Sequence, residues 1–252
     1  MKTIVVFNQK GGVGKTSTVI NMMSELSLRH KKVLAIDLDA QCNLTSFCGF
    51  KYSKYSVVDW LLSDKLKLDF VVCNTKYGDL IPADERLHME MLKFASMPAF
   101  VIRIKNLLVN LKEYDYVVID CPPTVNQLTA AALVAADYVL IPTETEFFSA
   151  AGIEMIAQTI EQIKPLNPAL KVLGVLIVKY QANRTLTRAI EQKLNATIKK
   201  YLDCDLLKTK IRFTVDVPAA QASGLSVKDY KTKSNSAVDY AEFVEEIWQI
   251  IK

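Results

Sequence analysis

A glycine-rich segment near the start of the chain, QKGGVGKTS (Gln9–Ser17), constrains the fold more than any other feature of the sequence. It follows the apolar run TIVVFN (Thr3–Asn8) and precedes a segment with helical character, TVINMMSELSLRH. Three of the eight glycines in the chain fall within four residues here, namely Gly11, Gly12 and Gly14. Glycine allows the tight turn that brings backbone N–H groups, and the positive end of the following helix, towards an anion. A strand, a glycine loop and a helix in this order predict a phosphate-binding loop.

The residues that close this loop predict a nucleotide site with a magnesium ion. A lysine at position 15 is placed to reach the terminal phosphates, and the hydroxyl of Thr16 is placed to hold Mg²⁺. The predicted nucleotide-binding residues are Lys10, Gly11, Gly12, Val13, Gly14, Lys15, Thr16 and Ser17.

Length and composition predict one soluble α/β domain. The chain has 252 residues, half of them apolar and 23% charged, which is enough for a substantial core and argues against disorder. The apolar run at the start is too short for a signal peptide, and no apolar run approaches the length of a membrane span. The five cysteines are odd in number, scattered and without C-x-x-C spacing, so we expect reduced thiols and a cytoplasmic protein.

Strands alternate with helices along the whole sequence. This alternation predicts a single-domain, doubly wound and mostly parallel sheet flanked by helices, covering residues 1–252. Beyond the first strand, the predicted strands are Lys32–Asp39, Asp69–Thr75, Asp79–Pro82, the run before Asp120, Asp137–Glu144, Lys171–Tyr180 and Leu207–Ile211. The predicted helices after the first, which runs to about Arg29, are Val57–Leu62, Met97–Lys112, Gln127–Ala136, Phe148–Lys164, Arg184–Tyr201 and Ala237–Ile251, with a loop-rich stretch at Thr214–Ser236.

Acidic residues end two of the buried strands. KVLAIDLD ends in Asp37 and Asp39, and YVVI leads into Asp120, which Pro122 and Pro123 follow. Ligands of parallel α/β sheets sit at the carboxyl ends of the strands. An aspartate at the end of the YVVI strand is placed to hold a magnesium-bound water beside the phosphates.

The loop departs from the general G-x-x-x-x-G-K-[ST] pattern, because Gln9 stands where the first glycine belongs and a second lysine, Lys10, precedes the glycines. This KGGVGKT form resembles the deviant Walker A segment of the ParA/MinD family of ATPases. The resemblance implies a P-loop fold, ATP and Mg²⁺ as ligands, and ATP hydrolysis. It also implies an ATP-dependent homodimer in which Lys10 crosses the interface to the partner's nucleotide, as an arginine finger does.

Two further segments carry the resemblance. DLDAQCNLT (Asp37–Thr45) is similar to the family's D-x-D-P-Q-G-N-x-T, with Ala40 in place of the proline and Cys42 in place of the glycine. The DCPP segment and the closing SNSAVDYAEFVEEI helix also correspond. The implied catalytic residues are Lys10, Lys15 and Asp39, and the implied metal residues are Thr16, Asp37 and Asp120.

The second half of the chain is basic. Lys164–Lys233 contains fourteen Lys and Arg against five Asp and Glu, whereas the whole chain has a net charge of +4. This excess is typical either of a surface that faces a polyanion or of solvated helix faces. Arg184 and Arg188 share one helix face, and Arg212 follows a short strand. We expect these three residues to contact DNA, although Asp216 stands where the family often has a basic residue.

The small ParA/Soj-type partition ATPases are the branch that fits best. They imply non-specific DNA as a ligand, a ParB-like centromere-binding protein as a partner and association with the nucleoid. The loop begins nine residues from the start, so we expect no N-terminal DNA-binding extension.

A MinD-like ATPase that cycles on membranes and places the division site is the alternative function. Such chains end in a basic amphipathic helix, whereas DYAEFVEEIWQIIK has four acids and one terminal lysine, so no membrane partner is expected. A metabolic enzyme of the same superfamily, either a nitrogenase-type reductase or a ligase-like synthetase, would need cluster cysteines or an added substrate domain.

Overall fold

A single eight-stranded sheet runs through the described part of the computed structural model, which comprises residues 1–51, 53–63, 65–109, 111–146, 149–181 and 185–251, with backbone only at 185–188. The strand order is β3-β4-β2-β5-β1-β6-β7-β8, and every neighbouring pair is parallel except β3 with β4. The strands are Lys2–Val6 (β1), Val33–Asp37 (β2), Cys73–Thr75 (β3), Gly78–Ile81 (β4), Tyr116–Asp120 (β5), Tyr138–Thr143 (β6), Lys171–Tyr180 (β7) and Leu206–Arg212 (β8).

Helices cover both faces of the sheet. One hydrophobic cluster joins the sheet to α3 and α6–α9, and a second joins the opposite face to α1 and α12. The helices in the described residues are Lys15–Leu28 (α1), Asn43–Phe47 (α2), Val57–Leu62 (α3), Arg86–Met89 (α4), Met91–Ser96 (α5), Arg103–Leu108 (α6), Gln127–Ala135 (α7), Ser149–Ile163 (α8), Thr185–Tyr201 (α9), Asp216–Ala222 (α10), Val227–Tyr230 (α11) and Asn235–Ile251 (α12). The predicted doubly wound, mostly parallel sheet is confirmed.

The burial of the central strands explains why their sequences are apolar. β2 and β5 are buried along their entire length, as is all of β1 after its first residue, so apolar and β-branched side chains fill them instead of an alternating pattern. The register pairs Val6 with Asp120 and Asp37 with Asp120. The end of β1, where the glycine loop begins, therefore lies beside the carboxylate that ends β5, and the carboxylate that ends β2 lies one strand further on.

Two predicted elements are wrong in part. In its described residues, the predicted helix Met97–Lys112 contains a 3₁₀ turn at Phe100–Ile102 followed by α6, because Met97 precedes a proline, adopts an extended conformation and ends α5. Ala99 then takes a left-handed conformation with φ 55°. The predicted strand Asp69–Thr75 also begins late, since residues 68–70 form a 3₁₀ turn and only β3 is strand.

The stretch predicted to be loop-rich contains two short helices, α10 and α11. Pro218 is the third residue of α10, within the first turn, where a missing N–H removes no intrahelical hydrogen bond. A proline in the sequence therefore marks the start of a helix here, and together the two helices place residues 216–230 against α1 and α12.

Candidate nucleotide-binding site

The glycine loop has the backbone conformation that its sequence predicts. Gly12 and Gly14 have φ values of 76° and 75°, a left-handed region that side chains rarely adopt, and Gly14 caps the N-terminus of α1. A Cβ at Gly14 would lie 3.5 Å from Val178 Cγ2, which is an ordinary contact. The backbone angle, and not lack of space, is therefore what requires glycine at position 14.

Gln9, which replaces the first glycine of the general motif, anchors the loop. Its Nε2 donates hydrogen bonds to Thr159 Oγ1 at 3.0 Å and to the carbonyl of Met155 at 3.3 Å, both on α8. Gln9 lacks the backbone freedom of the glycine that it replaces, and its side chain instead attaches the loop to a neighbouring helix.

Lys15 is a buried cation at the first residue of α1. Its Nζ donates to the carbonyl of Lys10 at 3.1 Å, and no carboxylate of the described residues lies within ion-pair distance. Burial lowers the pKa of Lys15, and the charges of Asp120 and Asp39 oppose that shift only in part. An anion in the loop would provide the counter-charge that this lysine lacks.

Thr16 and Asp120 form the predicted metal position. The Thr16 hydroxyl donates to Asp120 Oδ2 at 2.7 Å, while the buried Asp120 Oδ1 has no hydrogen-bond partner among the described residues. Burial and the neighbouring carboxylate of Asp37 raise the pKa of Asp120 well above its usual range. A buried carboxylate oxygen without a donor, next to a hydroxyl, fits Mg²⁺, which prefers oxygen ligands and keeps several waters. Accordingly, the described residues contain no cluster of three or more Asp, Glu, His or Cys side chains that could hold a metal alone.

Asp37 is held by the loop that follows β2. Its Oδ2 accepts hydrogen bonds from the backbone N–H of Thr45 at 2.9 Å and from the Thr45 hydroxyl at 2.7 Å, and its Oδ1 accepts from the N–H of Asp39 at 3.1 Å. Burial outweighs these bonds and raises the pKa of Asp37 to about 6. In this structure Asp37 fixes the loop that carries Asp39, and its predicted metal role stays a prediction.

Asp39 is the half-buried acid that reaches the cavity. Its side chain lines the same cavity as the glycine loop, and its Oδ1 accepts from the N–H of Gln41 at 3.0 Å. Cys42, which replaces the family's glycine, adopts a left-handed conformation with φ 52° and caps α2. A cysteine therefore holds a left-handed conformation that glycine adopts more freely.

Lys10 is not among the described residues that line the cavity of its own chain. Its Nζ forms an ion pair with Glu146 Oε2, and both side chains are about half exposed. The backbone N–H of Lys10 donates to Asn8 Oδ1 at 2.9 Å. The Glu146 side chain forms hydrogen bonds with Lys10 and with Glu144, and these bonds lower the pKa of Glu146.

A cavity of about 860 Å³ opens in front of the loop and is large enough for a nucleotide. The glycine loop at one end of the cavity follows from the sequence motif, whereas the far wall does not. That wall follows β7 and β8, whose carboxyl ends the sheet rule could have indicated, although no motif marks them. It consists of Val178, Lys179, Ile211, Arg212, Phe213, Thr214, Val217, Pro218, Gln221 and Tyr240.

The three arginines predicted to contact DNA have different positions. Arg184 lies outside the described residues, and Arg188 lies on α9 without a described side chain. The guanidinium of Arg212 lines the nucleotide cavity and pairs with the buried carboxylate of Asp239 on α12 at 2.6 Å. Asp216 pairs with Lys231 at 3.1 Å.

Comparison with known proteins identifies the family. Over 252 residues, the chain is 33% identical to the sporulation initiation inhibitor protein Soj of Bacillus subtilis, and the match covers 98% of each chain. This chain belongs to the Soj/ParA family. Its relatives include the chromosome-partitioning ATPase Soj of Treponema pallidum, 31% identical over 98% of this chain and 96% of the relative. A family model described as an AAA domain matches residues 1–172.

A solved structure with bound ligands shares the fold of this Soj/ParA member. It is cobyrinic acid a,c-diamide synthase of Mycobacterium smegmatis with a bound ATP analogue and magnesium, 28% identical with a TM-score of 0.85, covering 100% of this chain and 97% of that one. The family and the fold predicted from the sequence are confirmed. Among the described residues, no helix is both long and apolar enough to cross a bilayer.

Proposed function

We propose that the protein is an ATP-dependent DNA-partition ATPase. ATP with Mg²⁺ binds the cavity, two copies close around their nucleotides, the dimer binds non-specific DNA on the nucleoid, and a ParB-like partner stimulates the hydrolysis that releases it. One observation carries the nucleotide part of the proposal. The buried, uncompensated Lys15 lies beside the Thr16–Asp120 pair at the end of an 860 Å³ cavity. The partition part is supported by the relatives named Soj and by the basic second half of the chain.

The loop binds the triphosphate through backbone and cation together. The N–H groups at the start of α1 and the helix dipole face the anion, and Lys15 leaves the Lys10 carbonyl for a phosphate oxygen. The Thr16 hydroxyl and the carboxylate of Asp120 would hold Mg²⁺, which would neutralise phosphate charge. The free Asp120 Oδ1 would then gain a partner.

Asp39 is the carboxylate that orients the attacking water. It lies at the carboxyl end of β2, and the hydrogen bond from its backbone N–H to Asp37 sets the turn on which it sits. Water attacks the terminal phosphorus, the bond to the bridging oxygen breaks, and ADP and phosphate leave. Holding the water in line with that bond is the contribution that this side chain makes.

The dimer brings in the second lysine. Lys10 is half exposed and, among the described residues, its amine pairs with the similarly exposed Glu146, so leaving that carboxylate costs little. In the closed dimer Lys10 would reach the partner's nucleotide, where a cation stabilises the charge that develops on the transferred phosphoryl group.

The apolar face of α12 is not available to a membrane. The apolar face of α12 is buried against α1 and β8 through Tyr240, Phe243, Val244 and Ile247. A membrane-binding helix would need that face for lipid.

Retention on DNA tests the proposal. Purified protein is passed over immobilised duplex DNA of arbitrary sequence and over anionic liposomes, with ATP, ADP or no nucleotide. We expect retention on DNA only with ATP, and salt should weaken it steeply, because phosphate contacts release counterions. Retention on liposomes without retention on DNA would instead support the MinD-like alternative.

A further inference from the structure

Lys179 has an unusual backbone conformation at the end of β7. Its φ is 53°, in the left-handed region that few residues other than glycine adopt. Such conformations persist only where surrounding contacts hold them, and they concentrate at functional sites. Lys179 lines the nucleotide cavity opposite the glycine loop, so its side-chain contacts indicate which function the left-handed conformation supports.

The side chain of Lys179 joins the far wall of the cavity to the loop. Its Nζ donates to the carbonyl of Gly12 at 2.8 Å and to Glu144 Oε1 at 2.7 Å. Glu144 is mostly buried at 16% exposure and lies directly after β6, whereas Lys179 is half exposed. A charged donor between a backbone carbonyl and a carboxylate makes a stronger hydrogen bond than a neutral donor does.

The Gly12 carbonyl matters because of the peptide that contains it. A trans peptide is planar, so its C=O and the N–H of the next residue point in opposite directions. A carbonyl of Gly12 that turned into the cavity would meet phosphate oxygens and would turn the N–H of Val13 away from them. In this structure Lys15 donates to a second loop carbonyl, that of Lys10, which it would leave for a phosphate oxygen.

We propose that Lys179 is a positioning residue of the phosphate site, and that it holds the Gly12 carbonyl so that the loop presents N–H groups to the nucleotide phosphates. This inference rests on the proposed nucleotide-binding function. Glu144 holds the amine at the carbonyl and keeps it from competing with Lys15 for the phosphates. The left-handed backbone at Lys179 is what directs the side chain back across the cavity.

Nucleotide titration by calorimetry tests this role with matched variants. Lys179→Met removes the amine and keeps the strained backbone, whereas Lys179→Gly removes both, and glycine adopts this φ freely. We expect both variants to bind ADP and ATP about 3- to 10-fold more weakly, the loss of one partly exposed charged hydrogen bond. Lys179→Arg should recover most of the affinity, and Lys171→Met, at the exposed start of the same strand, should bind as the wild type does.

The kinetic form of the defect separates positioning from general stability. Loss of a contact made equally in the bound and transition states raises KM for ATP and changes kcat little. A purely structural role would lower Tm without changing nucleotide affinity. Wild-type affinity in either Lys179→Met or Lys179→Gly overturns the inference and leaves the proposed function intact. Absence of ADP and ATP binding in the wild-type protein would overturn both.

Discussion

The hydroxyl of Thr16 donates to one oxygen of Asp120 at 2.7 Å, and the other oxygen of that buried carboxylate lacks a partner among the described residues. β1 and β5 are adjacent parallel strands, and β1 leads into the glycine loop. Thr16 of this loop therefore lies next to the aspartate that ends β5. This pair is the proposed magnesium position, and a variant of Thr16 tests it separately from the phosphate contact of Lys15.

Thr16→Ala should remove most of the magnesium dependence of ATP binding, whereas Lys15→Ala should weaken binding with and without magnesium. The reason is that one change removes a metal ligand and the other removes the phosphate cation. We expect losses of at least about 10-fold, equivalent to about 1.4 kcal/mol. Calorimetry with Mg²⁺ or with EDTA measures both. Wild-type affinity in Lys15→Ala would contradict the assignment of the phosphate site.

Asp39→Ala should bind ATP and dimerise but hydrolyse ATP roughly 100-fold more slowly, because the attacking water is no longer oriented. Single-turnover hydrolysis measures the chemical step, and light scattering measures the dimer. Asp69→Ala, which removes an exposed acid from a 3₁₀ turn, is the matched control and should hydrolyse at the wild-type rate. Unchanged turnover in Asp39→Ala would assign the role to another residue.

Lys10→Ala should bind ATP as a monomer with nearly unchanged affinity, since Lys10 is not among the described residues that line its own cavity, and it should fail to dimerise. Glu146→Gln should have the opposite effect and favour the dimer slightly, because it releases Lys10 from its partner in the monomer. Light scattering with a slowly hydrolysed ATP analogue measures both variants. A wild-type protein that stays monomeric with this analogue would rule out the nucleotide-sandwich dimer.

The nucleotide-free protein should become more stable as the pH falls from 7 to 5. Asp37 has a folded pKa of about 6, above its ordinary value of 3.8, so in this range the folded state binds more protons than the unfolded state. The stability associated with this group is therefore lost as the pH rises through 6, by about 1 kcal/mol between pH 5 and pH 7. Asp120, whose pKa is also raised, contributes in the same direction.

Thermal unfolding in EDTA across this range measures the effect. Asp37→Asn cannot titrate, so its Tm should depend less steeply on pH than that of the wild type, whatever its absolute stability. An equal slope in the two proteins would mean that the carboxyl of Asp37 does not titrate in this range.

The sequence predicted those parts of the site that depend on local backbone chemistry. The left-handed glycines, the lysine and threonine at the start of α1, and the acids at the ends of β2 and β5 all follow from short segments whose spacing sets their geometry. The left-handed conformation of Cys42 shows the limit of that reasoning, because a cysteine does not by itself predict a positive φ.

The rest of the site depends on contacts between distant segments. Lys179 meets Gly12 across 167 positions, and Arg212 meets Asp239 between a strand and the last helix. No local pattern indicates either pair. For the same reason Arg212, which the charge pattern assigned to a DNA surface, has a structural partner that the sequence did not reveal.

The arginines predicted to contact DNA should therefore separate into two classes. Arg188→Ala should weaken binding to every duplex alike and reduce the salt slope by about one contact per copy, since the sequence predicts a phosphate contact for this residue of α9. Arg212→Ala leaves the buried carboxylate of Asp239 without its guanidinium, so we expect a loss of about 1–2 kcal/mol in the free energy of unfolding and weaker nucleotide binding.

Titration of DNA at saturating ATP, over a range of salt concentrations, distinguishes these outcomes. At equal nucleotide occupancy, Arg212→Ala should keep the wild-type salt slope if its role is to support the cavity wall, whereas Arg188→Ala should not. Asp239→Asn provides the matched test, because it disrupts the same pair without removing a positive charge. If Arg212→Ala lowers the salt slope while Asp239→Asn leaves DNA binding unchanged, Arg212 contacts DNA directly and its pairing with Asp239 is secondary.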